Sequence, residues 1–461
     1  MDRIKTGVAA LDDLLQGGFP EGAAILIAGM PGVGKSILAN QMAFFNASND
    51  SKVIYLSTLS EPQIKILKFQ QECCFFDYEK FQKTVIYQDL GGILRKKGYS
   101  QAIAFIDNLL RQHQPKLIVI DTIKTLTDMI PSIMEFREFL LDLSLRIATW
   151  GCTTLLLGEY AEDEIQNRPE SAIVDGILYM YGTEERSQQR RYLRILKMRG
   201  TDCPGGEIRF KISHNGINVY PRLNPNVMKQ RYVQYEQRIT TGIPGLDELM
   251  DGGIPKGSTT LLSGASGTGK TMVALHIAYD RLQANEEVLF VSFEENPAQI
   301  KMGAGRMTLD FEPYLQLGQL TLQHVSPIEL DVDELLWLIQ EKVDKMSAGL
   351  VIIDSISAFE IGMSNKNKYT DCIWALADYL KMAGINCLLV HEIHDSLLMT
   401  EVTKHGISFI ADNIITLRYL EENLQIKRFL RILKMRSSNH STMLKEVLIS
   451  TRGLCLGDVV N

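Results

Sequence analysis

No stretch of this 461-residue chain approaches the roughly 18 consecutive apolar residues that a membrane-spanning helix needs. The amino terminus, Met1-Asp2-Arg3-Ile4-Lys5, leads into mixed sequence without the apolar core of a secretory signal, so a cytoplasmic location is expected. Excess positive charge is also missing: 48 Lys and Arg against 55 Asp and Glu give a net charge of −7, and no overall basic bias advertises nucleic acid or an anionic membrane. A local basic face stays open. The seven cysteines contain no C-x-x-C pair, and their odd number argues against a disulfide framework. Most are expected as reduced core residues; the vicinal Cys73-Cys74 leaves a redox pair as the alternative. What remains, 45% hydrophobic and 22% charged, is ordinary for soluble globular protein, and the length allows two or three domains.

The chain is organised around Gly264-Ala265-Ser266-Gly267-Thr268-Gly269-Lys270-Thr271, a full G-x-x-x-x-G-K-[ST] loop between the strand-like Thr259 to Ser263 and an apolar, helix-like run. Glycines at 264, 267 and 269 let successive backbone N–H groups turn toward one point, and the following helix adds its positive end there. Such a nest fits a triphosphate. Lys270 then reaches the β and γ phosphates and the Thr271 hydroxyl holds Mg²⁺. A plain glycine-rich turn is the bland reading, and duplication weighs against it: Gly29-Met30-Pro31-Gly32-Val33-Gly34-Lys35-Ser36 repeats the motif 235 residues earlier, with Ser36 as its metal-holding hydroxyl.

The repeat extends both ways from the loops. Thr6-Gly7-Val8-Ala9-Ala10-Leu11-Asp12 answers Thr241-Gly242-Ile243-Pro244-Gly245-Leu246-Asp247 at the same offset. Downstream, Val53 to Ser57 and Val288 to Ser292 read as matching strands, and helical patterns then alternate with short buried runs. That alternation predicts an α/β fold: two tandem P-loop domains, each a mostly parallel sheet flanked by helices. Leu117 to Asp121 and Leu350 to Asp354 are apolar strands ending in a carboxylate, placed to order a metal's water shell or, alternatively, to cap the next helix. Both repeats close on Leu-Lys-Met-Arg, with Lys197 and Arg199 in the first and Lys434 and Arg436 in the second. A polar, proline-containing stretch from Tyr220 to Glu236 reads as the linker, with domains 1–230 and 231–461 and the boundary near Arg231.

Taken together, these residues resemble the KaiC family, the double-domain RecA-type ATPases of the circadian clock, from about Ile4 to about Gly457. Single motifs are shared with RecA, RadA and DnaB relatives; their order and duplication carry the likeness. The resemblance implies a homo-oligomer, a hexamer of two stacked rings, with ATP and Mg²⁺ between neighbouring subunits and an unidentified signalling protein as partner. It implies that Lys197, Arg199, Lys434 and Arg436 reach the adjacent subunit's nucleotide; the alternative is a solvated basic strand edge. It also gives Glu294 and Glu295, after the second strand, the task of activating water or a hydroxyl. Without the family, two adjacent acids are usually a solvated turn.

The first repeat has Leu59 and Ser60 where the Glu pair belongs, and Glu61 falls one position late, so its site is expected to bind ATP and hydrolyse it poorly. The family phosphorylates itself on a Ser-Thr pair; here Ser408 matches the serine and Phe409 replaces the threonine, leaving Ser408 and, as a weaker candidate, Thr403. Ser408 has a counterpart in Ser171, which favours a structural hydroxyl capping the next element. The chain stops at Asn461, so the family's regulatory tail and its tail-binding activator are not expected. His391, His394 and His405, near Glu392 and Asp395, leave a metal cluster open, but a loop is expected after the buried run Cys387 to Val390. Three functions remain in contention: an ATPase and autokinase, a nucleic-acid motor or recombinase of the RecA superfamily, and a nucleotide-gated scaffold with little turnover. The acidic balance and the missing zinc module count against the motor.

Overall fold

A computed structural model describes residues 2–58, 68–130, 132–185, 188–223, 234–327, 331–357, 366–393, 407–422, 424–436, 438–451 and 453–459. The chain divides into two compact units, Met1–Pro221 and Arg222–Asn461. The boundary placed near Arg231 lies outside the described residues.

In the first unit a short ribbon, β1 (Arg3–Ile4) and β2 (Phe19–Pro20), precedes β3 (Ala24–Ala28), β4 (Val53–Ser57), β5 (Val85–Asp89), β6 (Leu117–Asp121), β7 (Thr153–Gly158), β8 (Gly176–Glu185), β9 (Gln188–Met198), β10 (Ile208–Ser213) and β11 (Gly216–Tyr220). The second unit repeats the scheme with the ribbon β12 (Gln234–Ile239) and β13 (Ile254–Lys256), then β14 (Thr259–Gly264), β15 (Glu287–Ser292), β16 (Leu320–His324), β17 (Ala348–Asp354), β18 (Asn386–Glu392), β19 (Asn413–Glu422), β20 (Gln425–Met435), β21 (Lys445–Ser450) and β22 (Gly453–Val459). Each unit holds a nine-stranded sheet, ordered β5-β4-β6-β7-β3-β8-β9-β10-β11 and β16-β15-β17-β18-β14-β19-β20-β21-β22. The two orders are the same. Strands up to β8 and β19 run parallel, and the remainder are antiparallel hairpins.

The parallel strands read as continuous apolar runs because helices cover both of their faces. Successive residues divide between the faces. Leu262, Phe290 and Ile352 pack with Val273 and Ile277 of the P-loop helix Lys270–Gln283, whereas Leu261, Leu289 and Ile353 pack with the helices Val332–Lys345 and Lys366–Met382. In the first unit Leu26, Ile54 and Ile120 form a core with the helices Tyr99–His113 and Ile133–Thr149.

All seven cysteines are free, but only Cys152, Cys372 and Cys387 are buried; Cys73, Cys203 and Cys455 are half-buried and Cys74 is exposed. The expectation that most lie in the core therefore fails. Those three flank or begin buried sheet strands or line a packed helix face, whereas Cys73 and Cys74 sit in a turn between helices. Among the described residues no helix is long and apolar enough to cross a membrane.

Candidate active site

Both P-loops lie where a central strand hands over to a helix. Gly34 (φ 114°) and Gly269 (φ 102°) take the left-handed conformation at the helix N-caps, which lets the helices begin at Lys35 and Lys270. The loops are pinned from below by buried Val33 and by Thr268, whose hydroxyl donates to the Ala265 carbonyl at 2.8 Å, while Pro31, Gly32, Ser266 and Gly267 stay exposed above. Gly29 and Gly264 close the ends of β3 and β14.

In the second unit Lys270 is 8% exposed and folds over its own loop, donating to the Ala265 carbonyl at 2.8 Å. Its ammonium lies 3.7 Å from the Glu392 carboxylate, at the end of β18. Burial depresses the Lys270 pKa, against the pull of Glu392, Asp354 and Glu294. The Thr271 hydroxyl donates to Asp354 Oδ2 at 2.7 Å. Burial, helped by the charges of Glu294 and Glu295, pushes the Asp354 carboxyl up to about 6, even though Thr271 and Lys270 pull it down. Glu294 Oε1 accepts from the Ser355 hydroxyl at 3.2 Å, and the Glu295 backbone N–H is fixed on Ser292 Oγ at 3.1 Å. Lys270, Thr271, Glu294, Glu295, Asp354, Ser355 and Glu392 line one cavity of about 290 Å³, to which Met272, Leu275, Met307 and Ile449 add apolar surface and Arg428 a further cation.

In the first unit the Lys35 ammonium donates to the carbonyls of Gly29 (2.8 Å) and Met30 (3.0 Å), and Ser36 Oγ donates to Asp121 Oδ2 at 2.9 Å. Burial lowers the Lys35 pKa and raises that of Asp121. The helix after Asp121 has Thr122 at its N-cap with no side-chain bond to the helix backbone, and the Asp121 carboxylate accepts from the P-loop hydroxyl instead of capping that helix. Leu59, Ser60 and Glu61 lie outside the described residues.

A hydroxyl and a carboxylate in contact are hard oxygen donors of the kind Mg²⁺ takes, and the exposed loop N–H groups above them suit a phosphate chain. The residues fit Mg·ATP in both units.

Lys434 and Arg436 do not join the cavity of their own chain. Lys434 Nζ donates to the carbonyls of Ser408 (3.0 Å) and Ala411 (2.7 Å), and Arg436 donates to the Phe409 carbonyl at 2.8 Å and pairs with Asp412 at 3.5 Å. Lys197 and Arg199 repeat this on Ser171, Val174 and Asp175. Burial lowers the pKa of both lysines. Ser408 is half-buried in the short turn Ile407–Phe409, and Thr403 lies outside the described residues. The hydroxyl of its counterpart Ser171 does not cap the following element; it donates backwards to the Ile165 carbonyl at 2.5 Å, which closes the preceding turn. His391 and Glu392 belong to β18, which runs two residues past Val390, so the loop expected there starts later; His394, Asp395 and His405 lie outside the described residues.

Sequence reasoning missed Ser355, the pairing of Glu392 with Lys270, and Arg428. The last was legible, because Arg191-Tyr192-Leu193-Arg194-Ile195-Leu196-Lys197-Met198-Arg199 and Arg428-Phe429-Leu430-Arg431-Ile432-Leu433-Lys434-Met435-Arg436 differ at one position.

A duplicated RecA-like α/β fold with a P-loop, an acid at the end of the next strand but one and a phosphate-sized nest defines a P-loop ATPase with two nucleotide-binding units. The family described as "ATPase: KaiC" matches residues 4–224 and again 239–458, and the chain belongs to that family. It is 26% identical to the circadian clock oscillator protein KaiC of Parasynechococcus marenigrum, over 98% of this chain and 90% of the relative. Identity is also 26% to KaiC 1 of a Synechocystis species and to KaiC of Synechococcus elongatus, each over 98% of this chain and 88% of the relative.

Proposed function

We propose that the chain is a Mg²⁺-dependent ATPase whose turnover resides in the second unit, while the first unit binds ATP and turns it over poorly. The observation that carries this reading is the convergence of Lys270, Thr271, Asp354, Glu294 and Glu295 on one cavity. Lys270 exchanges its loop carbonyl for the β and γ phosphates, and Thr271 with Asp354 holds the metal. Mg²⁺, when bound, neutralises phosphate charge. Glu294, steadied by Ser355, orients the attacking water and takes up its proton.

A cavity of about 290 Å³ is at the small end for a ligand of this size. Its modest volume, and the placement of Lys434 and Arg436 outside it, support an assembly in which a neighbour's Lys434 and Arg436 complete the site, and the family membership supports a hexamer. In that assembly a neighbour's Ser408, whose carbonyl accepts from Lys434, is the proposed acceptor for autophosphorylation, with Glu294 receiving the hydroxyl proton. A cytoplasmic signalling protein is the proposed listener.

The test is ADP release together with site-resolved phosphopeptide mass spectrometry after incubation with Mg·ATP, beside Lys270→Ala and Glu294→Gln. Both variants are expected to lose turnover by about 10² or more. Phosphate on Ser408 that vanishes in both establishes the autokinase. Unchanged turnover in Glu294→Gln with assembly intact refutes the assignment and leaves a nucleotide-gated scaffold.

A further inference from the structure

The wall beneath the first P-loop helix carries polar groups where the second unit has hydrocarbon. Tyr55 pairs in register with Val119, two residues before Asp121, just as Phe290 pairs with Ile352, two residues before Asp354. Tyr55 also pairs with Tyr87 on the other side, as Phe290 does with Leu322. Asn40 stands five residues after Lys35, where Leu275 stands five after Lys270. The three polar side chains are almost wholly buried, at 3%, 4% and 7% exposure for Tyr55, Asn40 and Tyr87.

They form one connected line. Tyr55 Oη donates to Asp121 Oδ2 at 2.6 Å, the same oxygen that accepts from Ser36. Asn40 Nδ2 reaches Tyr55 Oη at 3.5 Å and donates to the Ser36 carbonyl at 2.7 Å, while Tyr87 Oη donates to Asn40 Oδ1 at 2.8 Å. Burying three polar groups where hydrocarbon serves in the twin unit is costly unless each is held, and once held the line is stiff. Its end point is the carboxylate that faces the metal-holding hydroxyl.

We propose that Tyr55 is a positioning residue for the divalent metal of the first nucleotide site, fixing the rotation of the Asp121 carboxylate, with Asn40 and Tyr87 bracing Tyr55 from behind. The first unit thereby holds its metal and nucleotide firmly without a catalytic Glu pair. This role rests on the reading that the first unit binds Mg·ATP. Partners that orient a metal-site ligand typically contribute 10- to 100-fold in metal affinity.

The experiment uses the full chain carrying Lys270→Ala, so that retained nucleotide reports the first site. ATP retention is measured by equilibrium dialysis against a Mg²⁺ titration, with and without Tyr55→Phe, and Mn²⁺ binding is followed in parallel by electron paramagnetic resonance. Tyr55→Phe is expected to raise the Mg²⁺ concentration for half-maximal retention about tenfold or more, and to weaken Mn²⁺ binding equally, while retention in EDTA is unmoved. If Tyr55→Phe alone fails to fold, Asn40→Leu with Tyr55→Phe copies the second unit's wall and carries the same expectation. An unchanged Mg²⁺ requirement in a protein that still retains nucleotide overturns the role of Tyr55 alone. A parent that retains no nucleotide at any Mg²⁺ concentration overturns the first-unit binding reading, and this role with it.

Discussion

Replacing Asp354 by Asn should disable the second site and yet make the empty protein more stable. Asp354 is 9% exposed, and burial raises its carboxyl from 3.8 to about 6 in the fold. A carboxyl whose pKa is higher folded than unfolded favours folding when protonated. That contribution is complete below pH 3.8 and is lost as pH rises through about 6, so at pH 7.5 the ionised group costs about 3 kcal/mol at roughly 1.36 kcal/mol per pH unit. At pH 5 the cost falls to about half. Asparagine keeps an oxygen for the Thr271 hydroxyl and carries no charge, so it removes the cost at either pH. At about 2–4 °C per kcal/mol for a unit of this size, the melting transition of the second unit in EDTA should rise by roughly 6–12 °C at pH 7.5, and by about half that at pH 5. Differential scanning calorimetry reads this, with the first unit's transition as internal reference. Mg·ATP should reverse the order, because a ligand that binds only the folded parent stabilises it by mass action. An Asn variant that melts below the parent in EDTA at pH 7.5, or whose gain is undiminished at pH 5, refutes the argument.

Three further outcomes follow from the same geometry. Arg436→Ala should lower turnover by about 10³ to 10⁵, and mixing its subunits with Lys270→Ala subunits should restore part of the lost ADP release, because each supplies what the other lacks; no recovery on mixing would place Arg436 outside the site. Gly267→Ala should cost more ATP affinity than Gly32→Ala, measured by titration calorimetry. Both positions have positive φ, 76° and 80°, but a methyl at 267 would meet Tyr419 Oη at 2.9 Å whereas one at 32 meets nothing within 4 Å. Leu261→Ala, fully buried in β14, should lower the second unit's unfolding free energy by about 2–5 kcal/mol in a urea titration, with catalysis per folded molecule retained.

What could be read in the sequence was what a short stretch of chain decides by itself. A P-loop is one strand, one turn and one helix, and its residues keep their spacing wherever the fold puts them; the strand-end acids Asp121 and Asp354 are legible for the same reason. The contact between Tyr55 and Asp121 spans 66 residues and depends on β4 pairing with β6 in one register, which no local pattern encodes. A signal did exist. Aligning the repeats sets Tyr55 against Phe290 and Asn40 against Leu275, and a hydroxyl or amide in one twin facing hydrocarbon in the other marks a place where the two units have parted. Glu392 drew attention only as a metal ligand beside histidines; its neighbour Lys270 comes from a different strand's end, brought alongside by the β14 and β18 pairing. Cysteine placement failed for a related reason, since hydrophobicity says nothing of which turns reach the surface.

Asp412 and Asp175 give the duplicated halves different mechanical grounding. Each aspartate stands at the foot of the P-loop strand, accepting from the N–H of Thr259 or Ala24 at 3.1 Å, and each also holds the arginine of the closing phrase. In the second unit Lys381 adds a further anchor at 2.8 Å and the carboxylate is 1% exposed; in the first, Asp175 is 36% exposed. If Arg436 is drawn outward, Asp412 keeps a cation and its backbone donor, and the strand foot stays seated. Withdrawal of Arg199 leaves Asp175 to solvent and one N–H. The strand foot of the second unit is thus held by two cations and a backbone donor, and that of the first by its closing arginine and a backbone donor, so the closing arginine carries a larger share of the hold in the first unit.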